Sequence, residues 1–406
     1  MTVWDNLIDQ DKVKRLLMKV AFSARDKKDE SVLKNSSSVA TGLAHAWLFT
    51  GPPGSGRSNA AKYFACALQC EDPQLDSQTG KVQYGCGKCK ECMSVLKNIH
   101  PDVIQLTTEK LIISKKEVEE LVSASAQSPI NGKWRIIIIE DADRMTETTS
   151  NILLKSIEEP PPKTVWMLCA PTPNDVIVTI RSRCVNVNLQ TPSVEAVTQY
   201  IVSKDNIDYD VAKKATICAG SHIGMARYLA KNPDARELRR KIISAPIGVR
   251  NTMDAIFVAE KIVALAERDA KTRCEEKNIR EKNLFLQSMG LSQGDRIPRE
   301  LGVQIRKLEA DQVRRLNRSV KDNLDRIFVD LLSFYRDVLV TQFKSRVDVV
   351  NIDLAGDIEA IARETTFGQT LMRMQLISDS RRRLQLNVTP LLVVENLIVG
   401  LRPFGL

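Results

Sequence analysis

No stretch of this sequence is both long and apolar enough to cross a bilayer. The most apolar late segment, PLLVVENLIVGL at 390–401, is interrupted by Glu395 and falls short of the roughly 20 residues that a spanning helix needs. The N-terminal run MTVWDNLIDQDK carries charges where a signal peptide has its apolar core. These absences argue against a membrane or exported protein, and the expectation is a soluble, cytoplasmic chain. No internal repeat is evident, which argues against a solenoid. Strand-like patterns are also missing after Pro192, so any sheet has to lie in the first half.

The 406 residues are enough for two or three domains with cores of their own. Lys+Arg (59) exceed Asp+Glu (50), a formal charge of +9. That balance is compatible with contact to nucleic acid or an acidic partner and demonstrates neither.

The order of local patterns is informative. WDNLIDQDKVKRLLMKVAFSA places Leu7, Ile8, Val13, Leu16, Leu17 and Val20 at helical spacing, and the serine-rich segment 25–42 reads as a surface connection. AHAWLFT then predicts a strand, GPPGSGRS a turn and SNAAKYFACALQC a helix. HPDVIQLTT (100–108) predicts a strand, and SKKEVEELVSASAQSP (114–129) a helix with Ser114 as its N-cap. RIIII and TVWMLCA are apolar throughout, as strands buried on both faces are. TETTSNILLKSIEEPPPK predicts a helix stopped by three prolines. Strands alternating with helices predict a parallel α/β sheet, ending near residue 190. SVEAVTQYIV, YDVAKKATICA and GMARYLAK predict a three-helix unit over 191–245. Residues 246–406 read as all-helical, with a broad apolar stripe in LDRIFVDLLSFYRDVLV. Within them the charge-dense stretch 266–318 reads as a solvated helical excursion with a loop at SMGLSQGD.

The glycine turn lacks one residue that its pattern calls for. Gly51-Pro52-Pro53-Gly54-Ser55-Gly56-Arg57-Ser58 matches the phosphate-binding loop G-x-x-x-x-G-K-[ST] except for arginine in place of lysine. Strand, loop and helix stand in the order that lets backbone N–H groups face a phosphate. A glycine turn without ligand is the alternative. The lysine is a slender point charge, whereas arginine is a broad fork and no conservative replacement. After the strand IIII, moreover, Glu140-Asp141 stands in the reverse of the Asp-Glu order that holds Mg²⁺ and positions water. A pair of strand-end carboxylates without metal is the other reading. Both departures point to a site impaired for hydrolysis.

Nine cysteines occur, at 66, 70, 86, 89, 92, 169, 184, 218 and 274. Cys70, Cys86, Cys89 and Cys92 have spacings x15, x2 and x2, which suit a tetrahedral structural Zn²⁺ site, with Gly85 and Gly87 permitting the turns. An iron–sulfur cluster is the alternative, but the run would want a further Cys-Pro where Leu96-Lys97 stands. Lys81, Lys88 and Lys90 leave open a nucleic-acid finger or a solvated basic loop.

Taken together, the loop at 51–58, the cysteine module 70–92 placed after its helix, EDADRMTETTSNILLKSIEEPPPKT (140–164) and TIRSRC (179–184) resemble the AAA+ clamp-loader family of DNA polymerase III. The resemblance is close over the first domain, and LQLNVTPLLVVENLIVGL (384–401) is similar to the end of the family's helical collar. It implies an AAA+ domain over 1–190, a lid over 191–245 and a collar or oligomerisation domain over 246–406, with 266–318 as an insertion. Two branches fit. The gamma/tau motor keeps lysine in the loop and Asp-Glu at the strand end. The delta-prime stator frequently has a degraded nucleotide site, and Arg57, Glu140-Asp141 and a chain ending with the collar favour it. A motor also carries a sensing arginine soon after the lid's Gly-Ser; here Gly224 stands about there and Arg227 a turn later. For either branch the resemblance implies gamma/tau and delta subunits as partners, a sliding clamp, and primed DNA met through the complex. It further implies a neighbour's ATP as the target of Arg183, acting in trans as an arginine finger. It leaves ATP with Mg²⁺ at this chain's own loop open as a ligand. A DNA-binding zinc protein is the third reading.

Overall fold

The computed structural model describes residues 2–25, 43–75, 82–108, 112–288, 302–386 and 388–402. They divide into two compact units, Met1–Arg227 and Tyr228–Leu406. Apart from Arg25 and Ser288, the connection read at 25–42 and the loop read at 288–295 lie outside the described residues.

In the first unit the chain runs α1 (Asp11–Arg25), β1 (Ala46–Thr50), α2 (Arg57–Gln69), a short hairpin of β2 (Gln74–Leu75) and β3 (Val82–Gln83), α3 (Lys90–Leu96), β4 (Val103–Leu106) and α4 (Lys115–Ser125). It continues through β5 (Arg135–Ile139), α5 (Glu147–Glu158), β6 (Thr164–Ala170), α6 (Val178–Arg181), β7 (Val185–Asn188), α7 (Val194–Asp205), α8 (Tyr209–Cys218) and α9 (Ile223–Lys231). The boundary between the two units falls within α9.

Five strands form a sheet in the order β4-β5-β6-β1-β7, every pair parallel. The three central strands β5, β6 and β1 are buried along their whole length, which is why they read as continuous apolar runs. Side chains alternate between two cores. Ile136 and Ile138 join Trp47, Phe49, Met167 and Phe64 on one face, whereas Ile137 and Ile139 join Leu48, Trp166, Leu153 and Leu121 on the other. Crossover helices cover both faces, and this fixes the strand ends on one side as the place where loops converge. Ser114 caps α4 as expected, closing a capping box with Glu117. α5 starts on Thr146, whose hydroxyl accepts from the Thr149 N–H, and it stops before Pro160.

One buried carboxylate organises the entry to β5. Asp102 accepts from the N–H groups of Ile130, Asn131 and Gly132 at 2.6–2.8 Å and faces Arg135 Nη1 at 3.4 Å. Burial by itself would push its carboxyl up; the three backbone N–H groups outweigh that and hold it below its ordinary value. Asp102→Ala leaves those donors and a buried guanidinium uncompensated and is expected to cost about 3–5 kcal/mol in denaturant unfolding. A midpoint unchanged from the parent contradicts this account. The wild-type contribution is present above about pH 4, the unfolded carboxyl's value, and is lost as the pH falls through the lowered folded value.

The second unit is entirely helical in its described residues. It contains α10 (Pro233–Ser244), α11 (Thr252–Ser288), α12 (Gly302–Gln342), α13 (Ala355–Glu364), α14 (Phe367–Gln385) and α15 (Pro390–Leu401). The three-helix reading of 191–245 missed α10. Its segment DARELRRKIIS is dense in charge, but tertiary partners bury Arg239, whose Nε donates to Asp330 and Nη2 to the Asn351 amide oxygen at 3.0 and 2.8 Å. The stretch 266–318 is not a wholly solvated excursion. Its described residues form the distal parts of α11 and α12, which pair antiparallel: Arg315 meets Asn278 and Glu281, and Asn323 donates to the Ala266 carbonyl. Ala259, Ala266, Ala270 and Cys274 line a buried seam. Small residues at this spacing let the two axes approach, and the charges lie along the flanks. No helix among the described residues is long and apolar enough to cross a membrane.

Candidate nucleotide loop, cysteine cluster and surface arginine

The glycine loop links β1 to α2 at the C-terminal edge of the sheet. Gly56, the N-cap of α2, has φ +90°, and Gly54 has φ +87°, conformations that side chains rarely adopt. Gly54 is also a point of close approach: a Cβ there would stand 2.6–2.8 Å from Cγ, Cδ2 and Cα of His222. His222 immediately precedes α9, so the start of that helix is seated on the loop. The Ser55 hydroxyl is buried and finds no hydrogen-bond partner among the described residues.

Arg57 turns back on its own loop, and its Nη1 donates to the Gly51 carbonyl at 2.6 Å. The strand-end pair is likewise engaged within the chain. Glu140 accepts from Gln105 Nε2, while Asp141 takes a left-handed φ of +52° and faces Arg144 Nε at 3.5 Å. The structure does bring loop and carboxylates together around Cys169. Burial pushes that thiol up to about 12, and the charges of Glu140 and Asp141 act in the same direction against Arg57. Asp143 is raised as well, by burial first and then by Asp141. Arg227, in α9, is bound to Asp205 through Nε and Nη2 at 2.6 and 2.7 Å, and its guanidinium lies 5.9 Å from the centre of the Tyr200 ring. Sequence reading missed His222 and Asp205. Neither stands in a motif, and their roles come only from α7 and α9 being folded against one another and the loop.

The ligand atoms of Cys70, Cys86, Cys89 and Cys92 all lie within 4.8 Å of one another, with Cys86 Sγ and Cys92 Sγ 4.0 Å apart. A tetrahedron of thiolates around an ion at about 2.3 Å has edges of about 3.8 Å, so the four can close on a metal ion with small adjustments. Backbone N–H groups already point at the sulfurs: Cys89 N–H and Lys88 N–H at Cys86, Cys92 N–H at Cys89, all within 3.2–3.4 Å. Gly85 and Gly87 take φ of +96° and +71° in the turn. Cys66 lies beside this set, exchanging sulfur–carbonyl contacts with Cys92, but is not part of it. The module is tied to the N-terminal segment by Val3 N–H to the Gly85 carbonyl and Trp4 Nε1 to the Tyr84 carbonyl, at 3.0 and 2.8 Å.

Ser182-Arg183-Cys184 follows α6 on the surface of the first unit. Arg183 pairs with Glu158 through Nη2 at 2.6 Å, and its Nη1 donates to the Thr179 carbonyl and the Ser182 hydroxyl at 2.8 and 3.2 Å. Cys184 packs on the inner core, and burial pushes its thiol up to about 12.

Residues 26–193 match the family described as "DNA polymerase III, delta subunit". Over 160 residues the chain is 32% identical to the DNA polymerase III subunit delta' of Pseudomonas aeruginosa, covering 39% of this chain and 47% of that one. Over this region the chain is similar to clamp-loader subunits. It is also 27% identical to the delta' subunit of Bacillus subtilis over 201 residues (50% of this chain, 58% of that one) and 24% identical to the tau subunit of Escherichia coli over 243 residues (56% and 36%). The chain thus spans less than two thirds of the length of these relatives. A DNA polymerase III gamma subunit-related protein of Thermotoga maritima superposes over 84% of this chain and 95% of its own, with 14% identity and a TM-score of 0.36.

Proposed function

We propose that this chain is the delta-prime, or stator, subunit of a DNA polymerase III clamp loader. In this reading it is an AAA+ subunit that helps load the sliding clamp onto primed DNA without itself hydrolysing ATP. The observation that carries the proposal is the state of the nucleotide loop. Arg57 is occupied by the Gly51 carbonyl, His222 lies on Gly54, and Arg227 is held by Asp205. Cations that would neutralise a γ-phosphate are therefore engaged inside the chain, and Glu140-Asp141 face protein partners in reversed order. These residues do not fit a hydrolysing Mg²⁺–ATP site.

The four cysteines do fit a structural Zn²⁺: four sulfurs of suitable spacing, with N–H groups already directed at them, and no ligand position left for water. Zinc would tie α3 and the hairpin to α2, adding to the core contacts that Val95 and the buried cysteines make with α2. Arg183, with its guanidinium at the surface of the first unit, is the group proposed to reach a neighbouring subunit's ATP, where positive charge stabilises the transferring phosphoryl group. The partners follow from that role: gamma/tau and delta subunits, the clamp, and primed DNA through the complex. An ATP-hydrolysing gamma/tau-type motor is the second reading, favoured by the similarity to tau.

Nucleotide turnover by the purified full chain distinguishes the two. No Mg²⁺-dependent ATP hydrolysis above background is expected, and Arg57→Lys alone is expected not to restore it, because His222 and Asp205 still hold their positions. Hydrolysis by the wild-type chain alone excludes the stator.

A further inference from the structure

Glu158 is the last residue of α5, where the helix carbonyls already concentrate negative charge. An acid is disfavoured there, and a second acid, Glu159, follows before prolines 160–162 end the helix. What compensates the Glu158 carboxylate is Arg183, whose Nη2 lies 2.6 Å from it, with the two side chains 44% and 40% exposed. The neighbouring Arg181 is directed elsewhere, to the Pro173 carbonyl and the Asn174 side chain. Arg183 Nη1 uses both of its hydrogens within the chain, on the Thr179 carbonyl and the Ser182 hydroxyl.

We propose that Glu158 is a latch for Arg183: it holds the guanidinium folded against its own subunit, and a neighbour's phosphate has to displace it. This rests on the reading of Arg183 as a finger acting in trans. A carboxylate in contact neutralises much of the charge that the finger brings, and it also places a negative group beside the triphosphate. The two anions therefore compete for one cation. The latch is weak by construction, because an exposed pair of this kind biases an equilibrium by a factor of a few rather than locking it. Glu158 thereby acts as a positioning residue. It sets how often Arg183 is delivered before DNA and clamp complete the ring, and contributes nothing to the chemistry itself.

The test uses the full complex assembled with its own ATPase subunits, comparing wild type, Glu158→Gln, Arg183→Ala and the double variant. Glu158→Gln is expected to raise the DNA-independent ATPase rate up to about fivefold, with KM for ATP unchanged. In the Arg183→Ala background the same change is expected to do nothing, and this dependence separates a latch from a general loosening of the fold. If Arg183→Ala abolishes stimulated turnover while Glu158→Gln leaves every rate unchanged, or lowers them, the latch is wrong and the finger stands. If Arg183→Ala changes nothing, the finger reading fails and the latch with it.

Discussion

Replacing Arg183 with alanine is expected to lower the DNA-stimulated ATPase of the assembled clamp loader by about 10³-fold at the site it serves, while the isolated chain melts at the same temperature. The size follows from what an arginine finger does: it neutralises charge spreading over the γ-phosphoryl oxygens, a contribution of about 10³–10⁵ in related enzymes. The unchanged stability follows from position. Arg183 is at the surface after α6, and its pair with Glu158 is solvated, so its removal stays within about 0.5 kcal/mol. Arg183→Lys is expected to recover little, because a single ammonium cannot present the planar fork to two oxygens. Turnover in single-site mixtures is the decisive measurement, since other subunits' sites dilute the effect in a bulk rate. A stimulated rate equal to wild type at that site removes the trans role from this residue.

The second large effect concerns the cysteine cluster. The protein purified without chelator is expected to carry one zinc ion per chain by elemental analysis. Stripping it, or changing Cys86 and Cys92 to serine, is expected to unfold the module. The hairpin has little apolar material of its own, with strands of two residues each and Leu75 exposed, and what joins the core is chiefly Val95 and the cysteines themselves. Structural zinc binding is worth about 10–16 kcal/mol in small modules at neutral pH, comparable with the roughly 5–15 kcal/mol that holds a whole domain. Its loss should therefore reach Val3 and Trp4, which hydrogen-bond to the module at Gly85 and Tyr84. Two readouts check this: a red shift of tryptophan fluorescence, and new proteolytic cleavage at Lys88 and Lys90. A metal-free protein with the parent melting curve and cleavage pattern overturns it, and a visible charge-transfer band with bound iron favours the iron–sulfur alternative.

Much of the first unit was legible from sequence because its signals are local. RIIII and TVWMLCA are buried on both faces of a parallel sheet, so their apolar runs needed no tertiary knowledge to read. Ser114 and the proline run after Glu158 mark helix ends through steric and hydrogen-bonding rules within a few residues. The cysteine spacing foretold a cluster for the same reason, since three of the four sulfurs are brought together by two tight turns. α10 was not legible. Its charged pattern resembles a solvated segment until Asp330 and Asn351, about a hundred residues away, bury Arg239.

By itself, the sequence determined the alternation of buried strands and helices, the loop with arginine in place of lysine, the reversed carboxylates and the set of four cysteines. These are properties of neighbouring residues, and backbone sterics and side-chain period translate them directly into local structure. Only the tertiary structure decided what the cations do. Arg57 could have pointed to a ligand and instead caps Gly51; Arg227 could have sensed a phosphate and instead pairs with Asp205; Arg183 lies against Glu158. A long flexible cation takes whichever anion or carbonyl the fold brings within reach, and that choice depends on partners up to tens of residues distant, which no local pattern encodes.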